Sequence, residues 1–299
     1  MLLYENFTQN KEKIIRLFGF ALGDGRLQKV KNRIRLYYAG LLPNLILLKY
    51  DLRTLGLSSR INIDKMELWV FSRALPKLFY SWGMPIGRKP SQHMYIPDWM
   101  HNETLEIKRN FLAGLFGADG SKPIMRSYSP SEITYTITKH PSMEWSGIKF
   151  LKDIAELLKD FNIEVSDRIY KYKEKTGHIT LRLYIKGEEN IIRFLEKIGY
   201  AYDLKKMVLA QKVLSYYYLK KSYLLEKETI KKAIITLHEE GLGPKAITEF
   251  LSIFMEQNKV NKIKLHASLI NKTLYKSRLR IRIQRKDGLM PFEEFLKFF

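Results

Sequence analysis

The 299-residue chain has no cysteine. That excludes disulfides, thiolate metal sites and cysteine nucleophiles. Histidines fall only at 93, 101, 140, 178, 238 and 266, with no pair four apart, so a histidine-based metal site is not expected. No apolar run approaches the ~18 residues of a membrane span. The opening "MLLYENFTQNKEKII" lacks the apolar segment of a signal peptide, and the expectation is a soluble, intracellular protein. Acidic residues are scarce: Asp+Glu number 31 against Lys+Arg 52, for a net charge of +21. Such a surplus points to a polyanion partner, nucleic acid first.

What is there is apolar enough to fold, at 45% hydrophobic residues. Length suggests two domains or three small ones. The pattern repeats. The first half predicts a helix over 10–24, strands over 26–31 and 33–38, a helix over 43–56, strands over 60–64 and 66–71, and a helix over 72–82. The second half predicts the same order: a helix over 103–119, strands over 122–128 and 132–138, a helix over 144–161, strands over 164–173 and 179–185, and a helix over 188–198. In "RIRLYY", Arg33, Arg35 and Tyr37 share one strand face. The fold class expected is α+β, with two αββαββα half-domains (1–100 and 101–225) and a mainly helical third domain (226–299).

That third domain reads as helix, glycine turn, helix, then a third helix, with "SRLRIRIQRKDG" alternating as a strand. Residues 262–286 hold nine Lys/Arg and no acid. This predicts a helix-turn-helix with a β-wing, with Lys272, Lys276, Arg278, Arg280 and Arg282 facing nucleic acid.

Two stretches carry the chemistry. "LFGFALGDGRL" (17–27) and "FLAGLFGADGS" (111–121) are apolar helical runs, each ending in Asp-Gly, with Asp24 and Asp119 lying 95 residues apart. An aspartate at a helix C-terminus faces the negative end of the macrodipole. Gly19 and Gly23 lie on one face of the first helix, and Gly114 and Ala118 on one face of the second, so the two helices can pack backbone to backbone. Asp24 and Asp119 then become neighbours, and Gly25 and Gly120 suit left-handed helix caps. Two carboxylates at two negative helix ends require a proton or a cation. Oxygen ligands alone favour Mg²⁺, suited to metal-assisted phosphoryl chemistry.

"LAGLFGADG" (112–120) resembles the signature of the LAGLIDADG homing endonucleases, and "LFGFALGDG" (17–25) resembles a divergent copy. Gly, Asp and Gly at positions three, eight and nine are kept in both. The resemblance covers about residues 10–222 and includes the linker "IPDWM". It implies a monomer whose motif helices form the interface between two half-domains, and whose two sheets make a saddle on double-stranded DNA. Both strands would be cut with Mg²⁺, Mn²⁺ substituting, at Asp24 and Asp119 with the adjoining Gly23 and Ala118. It implies a catalytic lysine in each half. Lys89 and Lys205, each six residues past a glycine, match; Lys206, Lys122 and Lys139 are rivals. The expected saddle residues are Arg33, Arg35, Tyr37, Arg60, Asn62, Lys122, Thr134, Thr136, Lys139, Arg168, Tyr170, Arg182 and Tyr184. The first half has Ala39 near the position of Lys139, so the half-sites should be unequal. No terminal residues of a self-splicing element are present, so a freestanding enzyme is expected. A catalytically retired DNA-binding regulator and an RNA maturase acting on intron RNA are the alternative readings.

Overall fold

Apolar residues on every side of two helices decide the architecture, because a helix apolar all round belongs at the centre of a fold. Helix α1 (Lys11–Asp24) buries an almost unbroken run from Ile14 to Leu22. Helix α4 (Leu105–Asp119) buries nearly everything from Ile107 to Gly117 and is capped by Thr104, whose hydroxyl accepts from the amide of Ile107. In the computed structural model these two helices pack on each other, and a four-stranded antiparallel sheet flanks each. The structure describes residues 10–126, 129–257, 270, 273, 274 and 292.

The first sheet comprises β1 (Gly25–Val30), β2 (Arg33–Ala39), β3 (Ser58–Asn62) and β4 (Glu67–Phe71), ordered β1-β2-β4-β3. Helices α2 (Leu42–Thr54) and α3 (Ala74–Ser81) complete the half-domain. The second sheet comprises β5 (Ile124–Arg126), β6 (Ser129–Lys139), β7 (Tyr170–Lys173) and β8 (Ile179–Lys186), with the equivalent order β5-β6-β8-β7. Helices α5 (Glu144–Lys159) and α6 (Glu188–Lys197) go with it. The two αββαββα halves are therefore related in chain order and in pairing order. The strand expected over 164–173 starts only at Tyr170. Residue 165 makes one bridge to Ile185. The Ser166 hydroxyl then bonds the carbonyl of Arg168 and bends the chain away, as serine turns do.

The chain divides into two compact units, 1–211 and 212–299. Helix α7 (Leu204–Glu239) runs through that division, whereas the sequence reading placed a domain start at 226. No glycine or proline lies between 204 and 239 to stop it. Helix α8 (Pro244–Gln257) follows a turn in which Gly241 has a φ of 90°. Ile234, Ile247, Leu251 and Ile270 form the core of this second unit. The expected strand, with Lys272, Lys276, Arg278, Arg280 and Arg282, lies outside the described residues. No helix among the described residues is long and apolar enough to cross a membrane.

Candidate metal centre and nucleic-acid interface

The two motif helices touch because glycine leaves nothing between their backbones. A Cβ on Gly19 would stand 2.2 Å from the carbonyl oxygen of Phe111, and one on Gly114 would stand 2.1 Å from that of Arg16. The contacts are reciprocal. Further down, a Cβ on Gly23 would lie 2.4 Å from that of Ala118 and 3.0 Å from the Asp119 carboxylate. The Asp119 carboxylate thus rests against the end of the other helix, beside Asp24.

Gly25 and Gly120 do not take the expected left-handed caps. Their φ values are −91° and −69°, in extended backbone. The reason for glycine is space. A Cβ on Gly25 would meet the backbone of Ala21 at 2.5 Å, and one on Gly120 the carbonyl of Phe116 at 2.6 Å. Each chain turns directly from helix into sheet or bridge without a Cβ to obstruct it.

The unfavourable helix ends are answered by lysine. Lys89 Nζ donates to the carbonyls of Ala21 (3.0 Å), Leu22 (2.8 Å) and Gly23. Lys206 Nζ donates to those of Phe116 (3.3 Å), Gly117 (2.7 Å) and Ala118 (2.9 Å). The acceptors occupy equivalent motif positions in both helices. Each ammonium satisfies carbonyls that a helix C-terminus leaves without partners and opposes the dipole, worth about 0.3–2 kcal/mol per end.

The aspartates remain unsettled. Burial raises the Asp24 carboxyl above its ordinary range; Lys89 and Lys206 pull it down, and Asp203 pushes it up again. Burial lifts Asp119 to about 6, with Lys89 opposing, Asp24 adding and Lys206 opposing. Burial lowers Lys89 to about 8 against the pull of Asp119 and Asp24. Burial also lowers Lys206, against Asp203, Asp24 and Asp119. The charged groups acting on the pair, with the pair itself, are three carboxylates and two ammoniums. A locally anionic point in a chain of net charge +21 has the donor set of a hard divalent cation. Atoms crowd Asp119 on its helix side, which is what raises its carboxyl, but its outer edge keeps solvent access, and Asp24 is half-buried, so the pair is reachable.

Of the expected catalytic set, the structure brings Asp24, Asp119 and Lys89 together. It places Lys206, not Lys205, at the second helix end; Lys205 is exposed on the outside of α7. The segment 199–203 places Tyr202 in left-handed backbone, at φ 64°, and carries one more residue between glycine and lysine than the first half does. The carbonyls of Gly23 and Ala118, expected as metal ligands, already accept lysine protons. Lys122 is exposed in the loop after Gly120. Asp203 was missed altogether. It accepts from the Lys206 amide at 3.0 Å, and its Oδ2 lies 3.6 Å from Lys206 Nζ. Its place at the start of a breaker-free helix is the signal that could have found it.

Among the described residues one further cluster offers three metal-type ligands, namely His101, Asp153 and Glu156. His101 lies 3.9 Å from Glu156, and Asp153 already pairs with Lys149 at 3.5 Å.

Each sheet has one face under its helices and one turned away. On the first sheet Leu36, Tyr38, Leu68 and Val70 are buried. Strand register puts Arg33, Arg35, Tyr37, Trp69, Arg60 and Asn62 together on the opposite face. A cavity of about 550 Å³ opens there, lined by Arg33, Arg35, Arg60, Arg73 and Lys77 with no acidic residue. On the second sheet, pairing puts Thr134, Thr136, Tyr170, Arg182 and Tyr184 on one face, and Arg168 stacks on Tyr170 at 4.8 Å. Thr134 and Tyr184, expected to meet a ligand, are buried at 4% and 7% exposure. Tyr184 shares a 3.2 Å hydroxyl bond with Tyr172 and supports the layer above it. Lys139 is a clearer correction. It shares the face of Tyr135 and Ile137, is completely buried, and bonds the carbonyls of Lys89 (2.9 Å) and Gln92 (2.8 Å). It cannot contact DNA from there.

Comparison with known proteins assigns the second half. Residues 106–199 match the family model described as LAGLIDADG-like domain. The matched segment is about a third of the chain. It carries Asp119 and the whole second sheet, and the first half repeats its element order around Asp24. A tRNA-splicing ligase RtcB of Methanopyrus kandleri is 36% identical over 76% of this chain, which covers 24% of that protein. A replication factor C small subunit of Methanocaldococcus jannaschii is 28% identical over 82% of this chain, which covers 14% of that protein. The chain spans at most about a third of the ligases it resembles. Among solved structures, I-DmoI in complex with DNA and Ca is 16% identical, covering 68% of this chain and 98% of that one, at a TM-score of 0.46. The homing endonuclease I-WcaI bound to its DNA recognition sequence is 18% identical, covering 63% and 80%, at 0.38.

Proposed function

We propose that the protein is a site-specific double-strand DNA endonuclease, acting as a monomer, whose two halves share one divalent-metal centre. The observation that carries this reading is the pairing of Asp24 and Asp119 at the ends of two helices packed through Gly19 and Gly114, with a lysine at each end. Asp24 and Asp119 would hold the cation, Mg²⁺ or Mn²⁺ in its place. When bound, it supplies charge stabilisation at the scissile phosphate and lowers the pKa of a bound water. Lys89 and Lys206 hold the helix ends and place positive charge beside a developing phosphorane. The outward sheet faces grip the duplex. Arg33, Arg35 and Arg60 suit guanine edges or phosphates, and Tyr170 with Arg168 and Arg182 suits base and sugar contacts. The helices after 212 extend the footprint.

The named relatives do not argue for ligation. A tRNA-splicing ligase, a replication factor C small subunit and a DNA-directed RNA polymerase subunit each match over a fraction of their length. One segment common to three different activities explains none of them. The test is selection for cleavage from a plasmid library of random sites, with Mg²⁺. The expected result is linear plasmid from the wild type. Asp24→Asn and Asp119→Asn should each cut at least a thousandfold more slowly yet still shift the selected duplex. Cleavage that survives either substitution, or tight intron-RNA binding with no site ever cut, overturns the reading.

A further inference from the structure

A lysine at a core position needs a reason, because burying an ammonium is costly unless its protons are used. Lys139 closes the inward face of β6, where Tyr135 and Ile137 precede it. The fold makes room for it. Gly147 of α5 has no side chain, and a Cβ there would come within 3.0 Å of Lys139 Cγ. The ammonium spends its protons on the carbonyls of Lys89 and Gln92, across the boundary between the halves. Two neighbours reinforce this. The His140 amide donates to the carbonyl of Pro90 at 2.9 Å. The buried Ser146 hydroxyl accepts from the Met94 amide at 3.3 Å and lies 3.4 Å from its carbonyl. Residues 89–94 of the first half are thus fastened to the second, and they carry the Lys89 side chain that reaches the carbonyls before Asp24.

The other half-site is braced by different groups: the Tyr202 hydroxyl donates to the buried Asp51 of the first half at 2.6 Å and accepts from Arg16 at 3.2 Å, and the Leu204 amide donates to Asn44 at 3.4 Å. Lys206 begins a helix and is steered by Asp203, in its own segment. The strand equivalent to β6 ends at Ala39, which is exposed.

We propose that Lys139, with Ser146 as a second anchor, is a positioning residue for Lys89 and not for Lys206, so that each lysine-bearing segment is set from the opposite half, and by different groups. This rests on the endonuclease reading only for its consequence in cleavage. The test uses the full chain and two readouts. Amine-reactive labelling followed by mass spectrometry compares Lys89 with Lys206. Strand-resolved cleavage of a selected duplex compares the two cuts. Lys139→Met keeps the stem and removes the ammonium. It should raise the labelling rate of Lys89 at least tenfold, leave Lys206 unchanged, and slow one strand's cut at least tenfold more than the other's, so that nicked circles accumulate. Ser146→Ala, a milder change, should move Lys89 in the same direction by two- to threefold, and decides the matter if Lys139→Met does not fold. Equal loosening of both lysines, or no change at Lys89, overturns the proposal. A wild type that cuts no DNA would instead defeat the endonuclease reading, while the labelling still judges the brace.

Discussion

The two half-domains agree in backbone and differ in side chains. Lys89 and Lys206 seize equivalent carbonyl triplets at the two helix ends, yet the segment of one is held from the opposite half by Lys139, and that of the other by Asp51 and Asn44, with Asp203 beside it. The sheets diverge likewise. The first presents arginines and Trp69 around a cavity; the second presents threonines and a tyrosine cluster. Where two backbones must touch, only glycine fits and symmetry is enforced. Where side chains face a ligand or support a loop, each half is free to vary. On the endonuclease reading, two unlike faces suit an asymmetric target.

The largest effects should come from the shared element. Gly19→Val and Gly114→Val each drive a side chain into a backbone carbonyl. Both should cost about 3 kcal/mol or more in urea unfolding, and by nearly equal amounts if the pairing is truly reciprocal. Next come the lysines. On the endonuclease reading, Lys89→Met and Lys206→Met should each slow cleavage by about 10²–10³, with opposite strand preferences in a nicking assay. The sheets differ in a smaller way. Arg33→Ala with Arg35→Ala should reduce the salt slope of duplex binding by about 2, whereas Tyr170→Phe with Tyr172→Phe should leave the slope intact.

The smallest effect is in stability against pH. Asp119 binds its proton more tightly folded than unfolded, being raised to about 6. Folding therefore loses stability as pH climbs from about 4 to 6 and carries the full cost above that. Because Asp119 keeps solvent access, screening discounts the effect: Asp119→Asn should raise the melting temperature by about 1–2 °C at pH 7.5, with the gain vanishing near pH 4. Loss of its attraction for Lys89 offsets part of this gain. Lys89, lowered to about 8, has the opposite dependence: stability rises with pH from about 8 towards 10.5, because there the unfolded chain holds more protons.

Much of this was legible in the residues. Period-2 alternation in "RIRLYY" put Arg33, Arg35 and Tyr37 on the outward face, and the two Asp-Gly stretches located the helix pair. Other features needed coordinates. Choosing between Lys205 and Lys206 depends on one extra residue, with Tyr202 in left-handed backbone, and spacing to a glycine cannot see that. Gly25 and Gly120 looked like left-handed caps because that is glycine's commonest use at a helix end, whereas here it prevents a clash with the preceding turn. Lys139 could have been placed, since the alternation that buries Ile137 buries it too. Its charge suggested a surface, and only the carbonyls of Lys89 and Gln92 explain its burial.

The central claim is that Asp24 and Asp119 act as one cation site. Electron paramagnetic resonance of Mn²⁺ titrated into the protein at pH 7.5 tests it directly. The wild type should bind Mn²⁺, with an affinity that falls at least tenfold in Asp24→Asn and equally in Asp119→Asn. Affinity undiminished in either variant, or one independent site retained by each, would contradict it.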